Sequence, residues 1–297
     1  MNREEFVMKF SGSYVALVTP FHEDGSVNFD KLKELTLWHM EQGTDGIVAL
    51  GTTGESSTMT HEEDDEVVRC VIETVNGRIP VIAGAGSNDT YTQLQKSKKY
   101  HDLGADGLLL ITPYYNKTNE EGMYRHFATV ADQVDTPIIL YNVPGRTGCS
   151  ISYDCVKRLA AHPNVAGIKE ASGNIGYAAK IARLVSEDFC LLSGNDDMVL
   201  PILSLGGSGV ISVWANVFPK DVHDLVASWQ AGDIETAKRI QLENLDLIDA
   251  LFCEVNPIPV KEMMNQLGMG VGGYRLPLCE ISAKGRETVR RALEGKK

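Results

Sequence analysis

The sequence predicts an α/β protein, a closed (β/α)8 barrel with a C-terminal helical appendage, and three observations carry that reading. Eight short runs are almost wholly apolar rather than alternating, at 14–18, 46–50, 80–84, 107–111, 137–141, 165–169, 189–193 and 209–213, as parallel strands covered on both faces require. Longer amphipathic segments stand between them, so that strand follows strand at intervals of about 20 to 34 residues, one βα unit each time. The length of 297 residues suits one large barrel as well as two ordinary domains.

Helices are expected over 30–42, 61–75, 90–103, 120–133 and 175–186. Asp30 is the expected cap of the first. Thr60, with Glu63 three residues on, has the spacing of a capping box, and Gly43 and Gly104 stop two of the helices. After the eighth strand and its helix at 219–231, three further helical stretches remain, at 234–251, 257–267 and 282–293. They exceed what a barrel needs, so the chain divides into a barrel domain, 1–231, and a C-terminal helical domain, 232–297. The glycine cluster at 268–273 follows a helix rather than a strand and lacks Gly-Lys-Ser/Thr, so it reads as a loop and not as a nucleotide cradle.

With 43% hydrophobic and 23% charged residues the composition supports a sizeable core. A net charge of −12 and the lack of any basic patch argue against nucleic acid as a partner. Six cysteines stand at 70, 149, 155, 190, 253 and 279, with no Cys-x-x-Cys and no interleaved histidine. They indicate neither a metal site nor a redox pair, and read as unbridged thiols of a reducing cytoplasm. The start, Met1-Asn2-Arg3-Glu4-Glu5-Phe6, is charged, and no apolar run of about 18 residues follows. No export and no membrane span are expected.

One lysine organises the functional reading. Lys169 ends the run 165–169 and enters a small polar turn, Glu170-Ala171-Ser172-Gly173. A lysine at a strand end is ordinarily a solvated cap, since lysine is seldom buried. Here small neighbours leave room for a substrate, and reactive side chains recur at equivalent strand ends. An amine that attacks a carbonyl has to be neutral, and burial at the mouth of an apolar core favours that form.

In a barrel of this kind function sits in the loops at the C-terminal ends of the strands. Those positions hold Gly51-Thr52-Thr53-Gly54-Glu55-Ser56 after strand two and Thr112-Pro113-Tyr114-Tyr115-Asn116 after strand four. Strand five ends in Tyr141-Asn142-Val143-Pro144-Gly145-Arg146-Thr147-Gly148, strand six at Lys169, and strand seven at Ser193-Gly194-Asn195-Asp196, while strand eight carries 211–216. Tyrosines, threonines, one arginine and one lysine recur there, with no histidine and no cysteine nucleophile. Such a set shuttles protons between hydroxyls, binds a carboxylate and forms a Schiff base. Taken singly each is weak: a Gly-Thr-Thr-Gly loop is more often a turn, a tyrosine on a buried strand is by default a core residue, and an arginine in a Pro-Gly turn is by default on the surface. Asp196 and Asp197 after strand seven argue against a phosphate site there and favour a small carboxylated substrate.

At these residues the chain resembles the pyruvate-dependent class I aldolase family. The resemblance rests on 51–56, 112–116, 141–148, 167–173, 209–213 and Asn256-Pro257-Ile258-Pro259-Val260-Lys261, and runs from Gly12 to Ala292. It implies that Lys169 is the Schiff-base lysine, Tyr141 the catalytic tyrosine, and Thr52 and Tyr115 the proton-relay partners. It also implies that Thr53 holds the pyruvate carboxylate and that Ile211 lines the pyruvate pocket. Arg146 matches the arginine that receives the carboxylate of L-aspartate 4-semialdehyde in one branch of the family, and N-acetylneuraminate lyases typically lack it. The implied activity is a lyase-type condensation of pyruvate with that aldehyde, in diaminopimelate and lysine biosynthesis. It proceeds through a covalent pyruvate imine, with no metal or organic cofactor.

In the family Tyr115 enters the neighbouring subunit's site, which implies a homo-oligomer, with a homotetramer expected. An L-lysine effector site is implied by Ser56, His61, Asn88 and Tyr114. Two positions depart from it: Thr92 stands where lysine-sensitive forms carry a glutamate, and Asp64 where such forms often have a histidine. Two other readings remain open. One is a sister aldolase acting on a sugar acid, such as an N-acetylneuraminate lyase or a keto-deoxy sugar acid aldolase, against which Arg146 speaks. The other is a non-catalytic barrel sensing a carboxylate, against which Lys169, Tyr141 and Thr52 speak.

Overall fold

The computed structural model describes residues 10–296. The charged start, on which the expectation against export partly rests, lies outside the described residues. Eight strands, β1 (Gly12–Ala16), β2 (Gly46–Ala49), β3 (Val81–Gly84), β4 (Gly107–Ile111), β5 (Ile138–Asn142), β6 (Val165–Glu170), β7 (Cys190–Ser193) and β8 (Gly209–Ser212), follow one another in chain order round a closed barrel. The helices are α1 (Phe29–Glu41), α2 (His61–Val75), α3 (Thr90–Leu103), α4 (Glu120–Ala131), α5 (Pro144–Thr147), α6 (Tyr153–Ala160), α7 (Ile175–Ala182), α8 (Val199–Ser204), α9 (Pro219–Gln230), α10 (Ile234–Glu243), α11 (Leu245–Leu251), α12 (Ile258–Gln266) and α13 (Ala283–Gly295). The architecture is therefore the expected (β/α)8 barrel with helices beyond it.

Local chemistry explains most boundaries and corrects a few. The side chain of Asn28, not Asp30, caps α1 by accepting from the Lys31 amide, and Asp30 instead places its charge in the first turn, where the helix dipole favours it. Thr60 and Glu63 form the expected capping box on α2, and Gly104 closes α3 in the left-handed region at φ 89°. Helix α6, capped by Ser152 through the Cys155 amide, is a helix the apolar pattern did not announce. The stretch expected as one helix over 234–251 is two, parted at Asn244, whose Nδ2 donates to the Ile240 carbonyl and so competes with the helical pattern. Among the described residues no helix is long and apolar enough to cross a membrane.

The chain forms two compact units. One holds Ala85–Val210 with the residues leading into β1, and the other holds Ser13–Gly84 with Ile211 onward. In the first unit β4 to β7 pair in parallel around buried leucines and isoleucines such as Leu108, Leu110, Ile138, Ile139 and Leu191, each worth about 1.5–3 kcal/mol when removed from water. The β5–β6 ladder is irregular: Ile138 pairs with Val165 but Ile139 pairs with Gly167. Ala166 is thus an extra residue in β6, and the shift sets Lys169 opposite Tyr141 and Glu170 opposite Asn142. Uninterrupted pairing from Ile138 would have put Ile168 there instead, which is the re-aiming a bulge achieves. In the second unit β1, β2 and β3 pair in parallel. Asn216, just past β8, donates to the Ala16 carbonyl and accepts from the Val18 amide.

Candidate active site

In the first unit Lys169 and Tyr141 meet. Both are buried, at 6% and 7% exposure, and the Lys169 Nζ lies 4.3 Å from the centre of the Tyr141 ring. Residues directly opposite in a parallel ladder share a face and their successors take the other, so Asn142 and Glu170 are the next pair. The Asn142 Nδ2 donates to the Glu170 Oε2 at 2.7 Å, and its Oδ1 accepts from the Ile151 amide at 3.1 Å. The other Glu170 oxygen accepts from the Ser172 amide at 2.8 Å. Burial raises the Glu170 carboxyl above its ordinary range, and the bonds from Ser172 and Asn142 pull it back. This clamp ties β5 to β6 one residue beyond the reactive pair. Room for the lysine stem comes from Gly194: a Cβ there would lie 2.6 Å from the Ala171 Cβ and 3.1 Å from the Lys169 Cε.

The loop after β4 belongs to the same unit. Tyr115 is 91% exposed and adopts φ 69°, a left-handed conformation rare for a bulky side chain. The Asn88 Nδ2 and the Asn116 amide both donate to the Tyr114 carbonyl, and the Asn116 Nδ2 donates to the Asn88 carbonyl. These bonds hold the loop so that the Tyr115 ring stands out in solvent. Arg146 rides on α5, whose C-terminus Gly148 caps at φ 70°, and it is exposed. Thr92 uses its hydroxyl to donate to the Asp89 carboxylate at 2.6 Å within the N-terminal turn of α3.

The second unit carries the threonines. Thr52 and Thr53 form a single 3-10 turn after β2. Thr53 is buried, and its Oγ1 accepts from the Asn256 Nδ2 at 3.0 Å. Thr52 is half-buried, and Ile211 lies buried on β8. Glu55 closes the turn and makes an ion pair with Lys261 at 2.8 Å. Ser56 is half-buried, His61 is exposed at the start of α2, and Asp64 is buried on the same helix.

Of the residues expected from the sequence, the structure brings Lys169 and Tyr141 into contact, sets Tyr115 in solvent, and places Thr52, Thr53 and Ile211 in the other unit. Sequence reasoning missed the Asn142–Glu170 clamp, the space made by Gly194, and the partners Asn256, Glu55 and Lys261. A signal for the last pair did exist: a lysine amid Ile258, Pro259 and Val260, and a glutamate inside a small-residue turn, are charges where the local pattern is apolar or tight.

A buried lysine against a tyrosine on the adjoining strand of a closed barrel suits the chemistry of the aldolase-type lyases that act through an imine, and the relatives put the chain in that class. Within that class the chain is a member of the dihydrodipicolinate synthetase family, whose model matches residues 9–296. The 4-hydroxy-tetrahydrodipicolinate synthase of Caldicellulosiruptor bescii is 54% identical over 284 residues, 96% of either chain. The crystal structure of dihydrodipicolinate synthase from Aquifex aeolicus superposes with a TM-score of 0.94 at 43% identity, covering 97% of this chain and 98% of that one. A dihydrodipicolinate synthase variant described as monomeric gives 0.94 at 40% identity and 97% of each chain.

Proposed function

We infer that the protein is a lyase of the class I aldolase type that condenses pyruvate with L-aspartate 4-semialdehyde, giving 4-hydroxy-tetrahydrodipicolinate for diaminopimelate and lysine biosynthesis. The observation that carries the catalytic assignment is the Lys169 amine packed against the Tyr141 ring at register-matched strand ends. In this reading the neutral amine attacks the ketone of pyruvate, water leaves, and an imine forms. Loss of a methyl proton turns the imine into an enamine, whose carbon attacks the aldehyde. The substrate's own amine then displaces Lys169 as the ring closes. Tyr141 moves the protons, with Thr52 and Tyr115 as its relay partners, Thr53 receives the pyruvate carboxylate, and Ile211 lines the pyruvate pocket. Arg146 takes the distal carboxylate of the aldehyde. The imine on Lys169 supplies the activation that a cofactor would otherwise bring.

Tyr115 supports a homo-oligomer, with a homotetramer the arrangement proposed. A large ring at 91% exposure, held there by the Asn88 and Asn116 hydrogen bonds, is explained when it completes the site of a second copy. We place the enzyme in the cytoplasm, in keeping with six cysteines that form no disulfide, and regard 232–297 as a C-terminal helical domain beside the barrel domain 1–231. The test is borohydride reduction with pyruvate, followed by intact mass and peptide mapping. An adduct on Lys169 is expected, and an aldehyde screen then identifies the acceptor. Trapping at another lysine, or none, would remove the mechanism.

A further inference from the structure

We propose that Lys261, on the C-terminal helix α12, is a positioning residue for substrate carboxylate binding, acting through its buried ion pair with Glu55 to hold the Thr52–Thr53 turn. The inference rests on the reading of Thr53 as the carboxylate holder and says what keeps that residue in place.

Both side chains are wholly buried, at 0% exposure, with the Lys261 Nζ 2.8 Å from the Glu55 Oε1. The same ammonium donates to the Thr19 carbonyl at 3.1 Å, and the Thr19 hydroxyl donates to the Gly54 carbonyl at 2.6 Å. The path from Lys261 through Glu55, back along the turn to Gly54, and through Thr19 to Lys261 therefore closes on itself. Two aromatic rings complete the ammonium's surroundings, Phe21 at 4.4 Å and Tyr274 at 5.4 Å. The second Glu55 oxygen accepts from the Arg275 amide at 3.3 Å. From the segment just before α12, Asn256 binds the Thr53 hydroxyl.

Stability alone does not account for such a pair. Burying two charges costs desolvation that their attraction barely offsets, and apolar replacements are often neutral or better. What an ion pair adds is a directional hold, and this turn needs one: Glu55 sits at φ 56°, in the left-handed region that a residue with a Cβ avoids. There is also an electrostatic reason. Glu55 stands two residues from Thr53, and its negative charge opposes a bound carboxylate unless Lys261 neutralises it.

The experiment compares Glu55→Gln, Lys261→Met and the double variant with the unaltered enzyme, reading the melting temperature, kcat, KM for pyruvate, and the pyruvate concentration that half-saturates borohydride trapping. Lys261→Met is expected to raise both pyruvate measures at least tenfold, with kcat at saturation within about threefold and the adduct still on Lys169. The double variant leaves no unpaired charge, so it folds even if Lys261→Met does not, and it is expected to keep a raised pyruvate requirement because the turn has lost its hold. A folded double variant with KM and half-saturation within twofold of the unaltered enzyme would reduce the pair to a structural role and overturn the proposal. Failure of the underlying reading looks different: Thr53→Val would then leave the pyruvate KM unmoved, or the unaltered enzyme would not trap pyruvate on Lys169.

Discussion

Replacing Lys169 by alanine or glutamine removes the proposed nucleophile, and among the described residues the only other buried lysine, Lys261, is committed to Glu55. Pyruvate trapping should vanish in both variants while the melting temperature stays within a few degrees. Lys169→Arg should be equally inert, because a guanidinium stays charged and cannot serve as the attacking amine. A trapped adduct in any of the three would refute the assignment. Arg146 makes a different case. It is exposed in the single chain, and the contact proposed for it with the aldehyde carboxylate would be worth about 1.5–3 kcal/mol, the range of a charge-assisted hydrogen bond. Arg146→Ala should therefore lower kcat/KM for the aldehyde about 10- to 150-fold and leave the imine step nearly untouched. Equal losses in both steps would give Arg146 another role.

Among the elements, the chemistry proposed for Lys169 depends on how β5, β6 and β7 are set against one another. The bulge at Ala166 brings Lys169 opposite Tyr141, the Asn142–Glu170 clamp fixes that register, and the bare α-carbon of Gly194 leaves space for the lysine stem. A methyl at position 194 meets the Ala171 Cβ, which cannot swing away, so the Lys169 stem or β7 has to shift. Overpacking of this kind costs about 1–3 kcal/mol, and small displacements of a reacting group cost up to about 100-fold in rate. Gly194→Ala should slow trapping at saturating pyruvate about 10- to 100-fold. A lower melting temperature with an unchanged trapping rate would mean that the glycine serves packing alone.

For the whole molecule, two buried histidines make stability fall as the pH drops below neutral. His39 is fully buried, with Nδ1 near the Thr44 hydroxyl, and burial lowers its pKa to about 3. His126, bonded to the Thr90 hydroxyl, is lowered to about 4, chiefly by burial, with Asp89 opposing. Each is therefore neutral in the folded chain at pH values where the unfolded chain, near 6.5, takes up a proton. The unfolded state binds more protons below that value, so stability is full above about pH 6.5 and falls as pH drops toward 4, by up to about 1.4 kcal/mol per pH unit for each histidine. Melts from pH 7 to pH 5 should fall, and His39→Leu should flatten the curve. A melting temperature independent of pH in that range would contradict this. Feedback by L-lysine also concerns the assembled molecule. Thr92 donates its hydroxyl to Asp89 and Asp64 is buried, and an effector site of the kind the resemblance implies, without its glutamate, loses a charge-assisted contact worth about 1.5–3 kcal/mol. Half-inhibition is expected above about 1 mM lysine, and a turnover assay with inhibition well below that would show another residue gripping the effector.

The sequence by itself determined the eight strands, the barrel they form, the capping box of α2 and the stop of α3 at Gly104, and the strand ends at which Lys169 and Tyr141 stand. These are local matters: an apolar run, a capping box such as Thr60 with Glu63, or a glycine after a helix acts within a few residues, and a window of the chain contains the whole cause. The extra residue at Ala166, the space at Gly194, the solvent-facing stance of Tyr115 and the bond between Asn256 and Thr53, 203 residues apart, were decided only by the tertiary structure. Glu55 and Lys261 are separated by 206 residues, and no local pattern tells which distant charge meets which. Register, close packing and long-range pairing depend on volumes and polar groups that become neighbours only after the barrel has closed, because a buried charge selects its partner by position in space and not by position in the chain.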